Sequence, residues 1–474
     1  MKVADRFFDI SNRHSTVAAE IRGGVVTFIA MAYIIVLNPI ILSGTADVSG
    51  NTLDFAQVSA TTSLAAGVMT ILFGLVARLP FAFAAGLGIN SFLATTVVGS
   101  LTWPEAMGLV VINGLIIVLL AVTGLRRLVF DAVPMQLKLA ITAGIGMFIL
   151  FIGLVDAGFV GSTGVASPPV GLGPGGLGSI NTVPTLVFIL TLLLTGVLVA
   201  RRVRGGILIG LVAGTVVAVV IEAIWHLGSA SERPGGWSLS VPTLSGSPFA
   251  LPDLSLIGDF SLNSFSRIGV LAAVMLVFTL VFANFFDAMG TMTGLSREAG
   301  LSDDRGTFPR LRSALIVEGA GAVVGGATSS SSNTVFIESG TGIEEGARTG
   351  LANMVTGALF LAAMFISPVA SIVPSEVAAA ALVIVGAMMT SHLRYIDLSE
   401  FSVALPVVLT VAVMPFSYSI ANGIGVGFIA WVVLRSAAGK VREISPLLWV
   451  VAVGFALYFA RAPLESLIGS RPLP

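Results

Sequence analysis

The sequence contains no cysteine, which excludes disulfides, thiolate catalysis and cysteine-ligated metals. Its three histidines, His14, His226 and His392, lie near the ends of apolar runs and are too far apart for a motif such as HExxH. No nucleophile constellation or metal-ligand cluster of the kind a membrane-embedded enzyme needs is legible, so neither a cofactor nor a metal is expected. Charge is scarce: 10% of the 474 residues are charged, against 55% hydrophobic, and the mean hydropathy is +1.00. A soluble protein of this length needs far more charge to cover its surface. The formal net charge of -1, with no basic tract, gives no footprint for nucleic acid. What the sequence has in abundance is apolar runs of about twenty residues, the length that crosses a bilayer as a helix.

Such runs begin near Gly24, Val58, Ala84, Ala106, Val133, Pro184, Gly206, Gly269, Ala314, Val335, Leu351, Val377, Val403, Ile424 and Leu447. Residues 1–24, MKVADRFFDISNRHSTVAAEIRGG, read as a short basic and amphipathic cytoplasmic tail rather than a secretory signal peptide. With that tail inside, Arg78, Arg126, Arg127, Lys138, Arg201, Arg202, Arg204, Arg297, Arg305, Arg310, Arg312, Arg348, Arg394, Arg435, Lys440 and Arg442 all fall on the same side. Before the C-terminal tail only Arg233 and Arg267 fall on the other, as the positive-inside rule requires. Past Arg442 the reading stays open: Leu447 to Ala460 forms a span, or the pair around MPFSYSIANG forms two half-length segments.

The chain also repeats itself. FAFAAGLGIN, Phe81 to Asn90, aligns with VFIESGTGIE, Val335 to Glu344, through a shared Gly-x-Gly-Ile. VPMQLKLAITAG, from Val133, resembles VPSEVAAAALVI, from Val373, in the same order and at similar spacing. An odd number of spans separates the copies, so they face opposite ways. An inverted repeat of this kind points to a secondary transporter. The polar string Ser329 to Asn333, SSSSN, lies where a helix would already be in lipid, and irregular backbone survives there only when protein or a watery cavity satisfies it. Phe81 to Ala85 and Val335 to Ile337 are therefore expected as short extended pieces, each followed by a half-helix whose N-terminus faces the midplane. The alignment sets Ala84 opposite Glu338, leaving room for a ligand beside the acid.

Asp287, in FANFFDAMGTMTG, is the only charge in a run of about thirty apolar or small residues, and Thr291 lies one turn on along the same face. An ionisable residue at that depth is a functional candidate by default. Glu318 lies mid-run as a supporting candidate. Glu105, Asp131, Asp156, Glu222 and Glu376 sit near run ends and read as interfacial, and Glu344, Glu345 and Arg348 are expected to pair with one another.

At these residues the chain resembles the nucleobase:cation symporter family, in the branch of adenine, guanine and hypoxanthine permeases. The motifs are GGVVTFIAMAYIIVLNP, GLGIN, FFDAMGTMTG, TSSSSNTVFIESGTGIEEGARTGL and VMPFSYSIANGI, spread over nearly the whole chain. The resemblance implies an all-α polytopic membrane protein of about 14 transmembrane segments, arranged as a seven-plus-seven inverted repeat of the uracil-permease type, with two short strands preceding half-helices 3 and 10. It implies a core domain at 21–130 and 266–372, a gate domain at 131–265 and 373–462, tails at 1–20 and 463–474, and elevator-type motion of core against gate. It further implies a multi-pass protein of the cell membrane with its N-terminus cytoplasmic, and a homodimer through the gate domain.

By that resemblance a purine is held by Asp287 and Glu338 with Asn90 contributing. The residue chemistry agrees: carboxylates accept from ring N–H groups, while Phe83, Phe285 or Phe336 cover the ring faces, and Thr291, Ser339 and Ala84 complete the candidate site. Either acid is a candidate for the coupling proton. No Arg or Lys lies in either stretch, which argues against sulfate or dicarboxylate. SSSSN, where the family has a Thr-rich string, and Gly340, in place of Ala, are departures that leave substrate preference open. Uracil or xanthine transport and anion exchange on the same fold are the near alternatives, and a channel-like pore is the distant one.

Overall fold

The computed structural model describes residues 2–124, 133–165, 167–176, 178–238, 240–243, 247–302 and 308–460. Ten helices among them are long and apolar enough to cross a membrane, and three shorter apolar ones accompany them. The first span is α1 (Val17–Met31) continued by α2 (Ile34–Ser43), followed by α3 (Phe55–Val76). Strand β1 (Phe83–Ala85) leads into α4 (Leu87–Phe92), which runs on as a wide turn to Val97, and α5 (Trp103–Thr123) follows. Then come α6 (Met135–Asp156), α7 (Val183–Ala200), α8 (Gly206–Trp225), α9 (Val270–Glu298) and α10 (Leu311–Ala327). Strand β2 (Asn333–Val335) leads into α11 (Ser339–Glu344). The chain closes with α12 (Gly350–Ala363), α13 (Ser375–Thr390), α14 (Phe401–Phe416), α15 (Ile420–Ala437) and α16 (Pro446–Phe459). Helix starts follow local chemistry: Asp54, Thr182, Ser419 and Ser445 each accept an N–H of the first turn, and Thr102 with Glu105 forms a reciprocal cap on α5.

Packing carries the repeat. In one bundle α3 lies along α12 and α1 beside it, while α5 lies along α10 with α9 beside it. Exchanging the first seven spans for the second seven maps each of these pairs onto the other. In the second bundle α6 packs on α13, α7 on α13 and α14 on α6, and the hairpins α7–α8 and α14–α15 correspond. The inverted repeat read from two short words is therefore the architecture of the whole chain. Helix α16, the fifteenth run, has 14 residues and no counterpart; it rests on α15 and α9. The break near MPFSYSIANG separates α14 from α15 at Ser417 to Ser419, with Tyr418 in the left-handed region at φ 53°.

The two strands pair antiparallel inside the first bundle, Phe83 with Val335, Ala84 with Thr334 and Ala85 with Asn333. This differs from the sequence reading in extent and register. Phe81 and Ala82 lie outside the strand because side chains take up part of their backbone: Asn353 donates to the Phe81 carbonyl and Ser339 accepts the Ala82 N–H. The second strand begins earlier, inside SSSSN, whose buried serines are satisfied partly by Gly86 N–H donating to Ser332 O. Ala84 faces Thr334 rather than Glu338. One residue, Gly86, separates β1 from α4, whereas three, Phe336 to Glu338, separate β2 from α11. A word alignment cannot register that difference in connector length.

The glycines of the repeated word admit neighbours at close range. A Cβ on Gly88 would meet Ile145 Cγ2 at 2.6 Å, and one on Gly342 would collide with Thr27 Oγ1 and lie 2.6 Å from the Gly23 carbonyl. Because the Gly23 clash is with backbone, Gly342→Ala is expected to cost about 1–3 kcal/mol by overpacking. It should lower the melting temperature of purified protein by several degrees, and unchanged melting would contradict the packing of α11 on α1.

Candidate functional site

A cavity of about 620 Å³ lies between the two bundles. The first bundle contributes Tyr33 from the α1–α2 junction, Gly86 to Gly88 at the start of α4, Asp287 and Thr291 on α9, and Thr334 to Glu338. The second contributes Lys138 and Thr142 on α6 and Val385, Met389, His392 and Tyr395 on and beyond α13. Asp287, Thr291, Glu338 and Phe336 are thus brought together as the sequence suggests. The three-residue connector after β2 accomplishes this for two of them. Phe336 N–H bonds to the Ala82 carbonyl at 3.0 Å, and Glu338 closes the connector as the residue before α11.

Glu338 has a partner that the sequence reading missed. The Tyr33 hydroxyl donates to Glu338 Oε1 at 2.6 Å. Tyr33 is 1% exposed, and its ring centroid lies 6.5 Å from that of Phe336. The available signal was a tyrosine in mid-run, in a chain with only four. Lys138 and Arg297 also line the cavity, so the absence of basic residues from the two site stretches does not extend to its walls. Arg297 is ten residues beyond Asp287 on one helix, about 15 Å along the axis, and Lys138 comes from the other bundle.

Five predicted site residues do not line the cavity. Phe83 is fully buried against Phe73, with ring centroids 4.8 Å apart, and Ala84 lies in the strand ladder. Phe285 is 2% exposed, in the hydrophobic core. The Ser339 hydroxyl donates to the Phe336 carbonyl at 2.7 Å and accepts the Ala82 N–H at 2.9 Å, so it clamps the connector to β1. Asn90 is fully buried and donates to Asn38 Oδ1. Asn38 in turn donates to Thr62 Oγ1 and the Ser330 carbonyl. A backbone carbonyl only accepts, so it fixes the Asn38 amide, and Asn38 fixes that of Asn90. Glu318 is buried on α10 facing Thr334.

Most acids near run ends are tied down as structural groups. Glu105 bonds Arg267 at 2.7 Å, Glu222 accepts Trp237 Nε1, and Glu376 accepts both the Ser238 N–H and its hydroxyl. Glu345 does not pair with Arg348 as expected; it bridges Arg22 of α1 and Arg204 of the α7–α8 turn, while Arg348 donates to the Ile343 and Ala347 carbonyls. Asp131 lies outside the described residues. At the N-terminal end of α14, bonds from Lys440, Ser402 and Arg435 hold the Glu400 carboxyl down to about 2.

Residues 18–426 match the model of a permease family, Xan_ur_permease. The chain belongs to this permease family. It is similar over nearly its full length to nucleobase permeases. It is 37% identical to the guanine/hypoxanthine permease PbuG of Bacillus subtilis, over 96% of this chain and 98% of that one. It is 35% identical to the adenine permease AdeP of Escherichia coli, over 96% and 95%. Among solved structures, the transmembrane domain of the cyanobacterial bicarbonate transporter BicA superposes with TM-score 0.61 at 16% identity, covering 86% of this permease and 97% of BicA. Murine Slc26a9 superposes at 0.59 with 10% identity, covering 89% and 68%. At such identities the likeness is one of fold, the inverted-repeat transporter fold. The permease is a multi-pass membrane transporter, not an enzyme.

The Ser339 clamp generates a stability prediction. Ser339→Ala leaves the buried Ala82 N–H without its acceptor, at about 1–3 kcal/mol. The variant should melt measurably below wild type, and identical melting curves would remove Ser339 from the account of how the connector is held.

Proposed function

We propose that this permease imports purine nucleobases, adenine, guanine and hypoxanthine, by proton symport. The observation that carries the reading is that Asp287 and Glu338, from separate elements, face one cavity between two bundles, with Phe336 and Tyr33 beside them. A neutral purine presents N–H donors at its edge and two flat apolar faces. Carboxylates accept the donors, and aromatic rings cover the faces. One of the two carboxyls carries the coupling proton, and Thr291 supports Asp287 from the next turn. The relatives named above are guanine/hypoxanthine and adenine permeases, which supports the purine assignment.

The moving unit is the core domain, 21–130 and 266–372, which holds both acids. The gate domain, 131–265 and 373–462, supplies Lys138, Met389 and His392 from the facing wall and pairs with a second copy. Packing is dense within each bundle and sparse between them, as elevator-type sliding requires. The permease lies in the cell membrane with its N-terminus cytoplasmic, by the distribution of arginines.

Uptake of radiolabelled hypoxanthine, adenine, guanine, xanthine and uracil, with and without a proton uncoupler, tests this. Purine accumulation that the uncoupler abolishes is expected. Uptake of uracil alone would overturn the purine assignment, and accumulation that survives the uncoupler would overturn proton coupling. Asp287→Asn should abolish uptake at normal membrane levels. Glu338→Gln replaces one acceptor with a donor and should weaken binding by about 1.5–3 kcal/mol, roughly ten- to a hundred-fold. Of the two variants, one that exchanges purine without accumulating it identifies the proton carrier. Wild-type transport by both would remove the acids from the site.

A further inference from the structure

Tyr33 sits between α1 and α2, where Met31 ends one helix and Ile34 begins the next. The backbone is not free there. Ala32 and Tyr33 keep right-handed helical angles, φ −59° and −57°, and Leu37 N–H bonds to the Tyr33 carbonyl at 3.0 Å. The first span therefore continues through the junction and aims the tyrosine ring at the connector that carries Phe336 and Glu338. Packing alone would be served by phenylalanine. The buried hydroxyl demands a partner, and its partner is Glu338 Oε1 at 2.6 Å, in the cavity wall.

We propose that Tyr33 is a specificity-determining residue: it takes one acceptor direction of Glu338 Oε1, so that the ligand meets one fully open carboxylate oxygen and one that it must share. The inference rests on the purine reading above and deepens it. A carboxylate with two open oxygens is a bidentate acceptor and rewards two N–H donors side by side. Guanine offers such a pair, N1–H and the adjacent 2-amino group, whereas hypoxanthine offers N1–H alone on that edge. With one lone pair of Oε1 taken by the phenol, the second donor of guanine has to share that oxygen and gains less there than at an open one. The site thus accepts the single N–H of hypoxanthine without favouring the 2-amino purine.

Competition against radiolabelled hypoxanthine uptake tests this in wild type and Tyr33→Phe. In wild type, guanine should compete within about twofold of unlabelled hypoxanthine. Tyr33→Phe keeps the ring and opens Oε1, so guanine should improve relative to hypoxanthine by about tenfold, the gain of one charge-assisted hydrogen bond. An equal shift for both purines means that Tyr33 only packs, and it overturns the proposal. A selective loss of guanine means that the phenol oxygen itself accepts the 2-amino group, and it overturns the proposal as well. If Tyr33→Phe fails to reach the membrane, the wild-type ratio decides: parity supports the filter, and a tenfold advantage for guanine sinks it. Wild-type protein that takes up no purine fails the functional reading itself, and the filter falls with it; that result is distinct from purine uptake with the wrong ratio.

Discussion

Inside a bilayer, a chain that leaves the helical conformation has to find new partners for its N–H and C=O groups, because lipid offers none. Strands β1 and β2 find each other. Three residue pairs close the ladder at the centre of the first bundle, every residue in it is buried, and the serines before β2 are folded into protein rather than lipid. Everything that gives this permease a site depends on that pairing. It lets two spans stop halfway, brings the start of α4 to the cavity, and holds there the connector that carries Glu338 into α11.

The repeat supplies the frame, and a difference of two residues supplies the chemistry. After β1 a single glycine leads into α4, and Gly86, Leu87 and Gly88 line the cavity on that side without an ionisable side chain. After β2 the connector is three residues long, which places Phe336 and Glu338 at the cavity between the bundles. Ser339 pins this longer connector to Ala82 at its end, and Tyr33 reaches in from the first span to hold the carboxylate. Asp287 needs no such device. It sits on a continuous helix of 29 residues, on the face that lines the cavity together with Thr291.

The sequence discloses the parts of this arrangement that are set by length, hydropathy or an isolated charge. Span count and inverted symmetry come from apolar runs and two repeated words. Asp287 and Glu338 are legible because a carboxyl in an apolar run has few structural explanations. Asn90, Ser339 and Phe83 are legible as special but not as pointing inward to protein: a polar or aromatic residue at such a depth signals a buried partner without saying on which side it lies. Asn90 is held by Asn38 and Ser339 by backbone, and both partners are distant in sequence. Tyr33 escapes notice for the opposite reason, since tyrosine in an apolar run reads as ordinary core. Strand register was hidden by the unequal connectors.

The central claim is that the purine occupies the space between Asp287 and Glu338, in the cavity between the bundles. The most direct measurement is an experimental structure of the purified permease with hypoxanthine bound. The account predicts a ring packed near Phe336, its N–H groups about 2.7–3.2 Å from the carboxyl oxygens of Asp287 and Glu338, and Tyr33 still bonded to Glu338. Hypoxanthine held elsewhere, out of reach of both carboxyls, would contradict it.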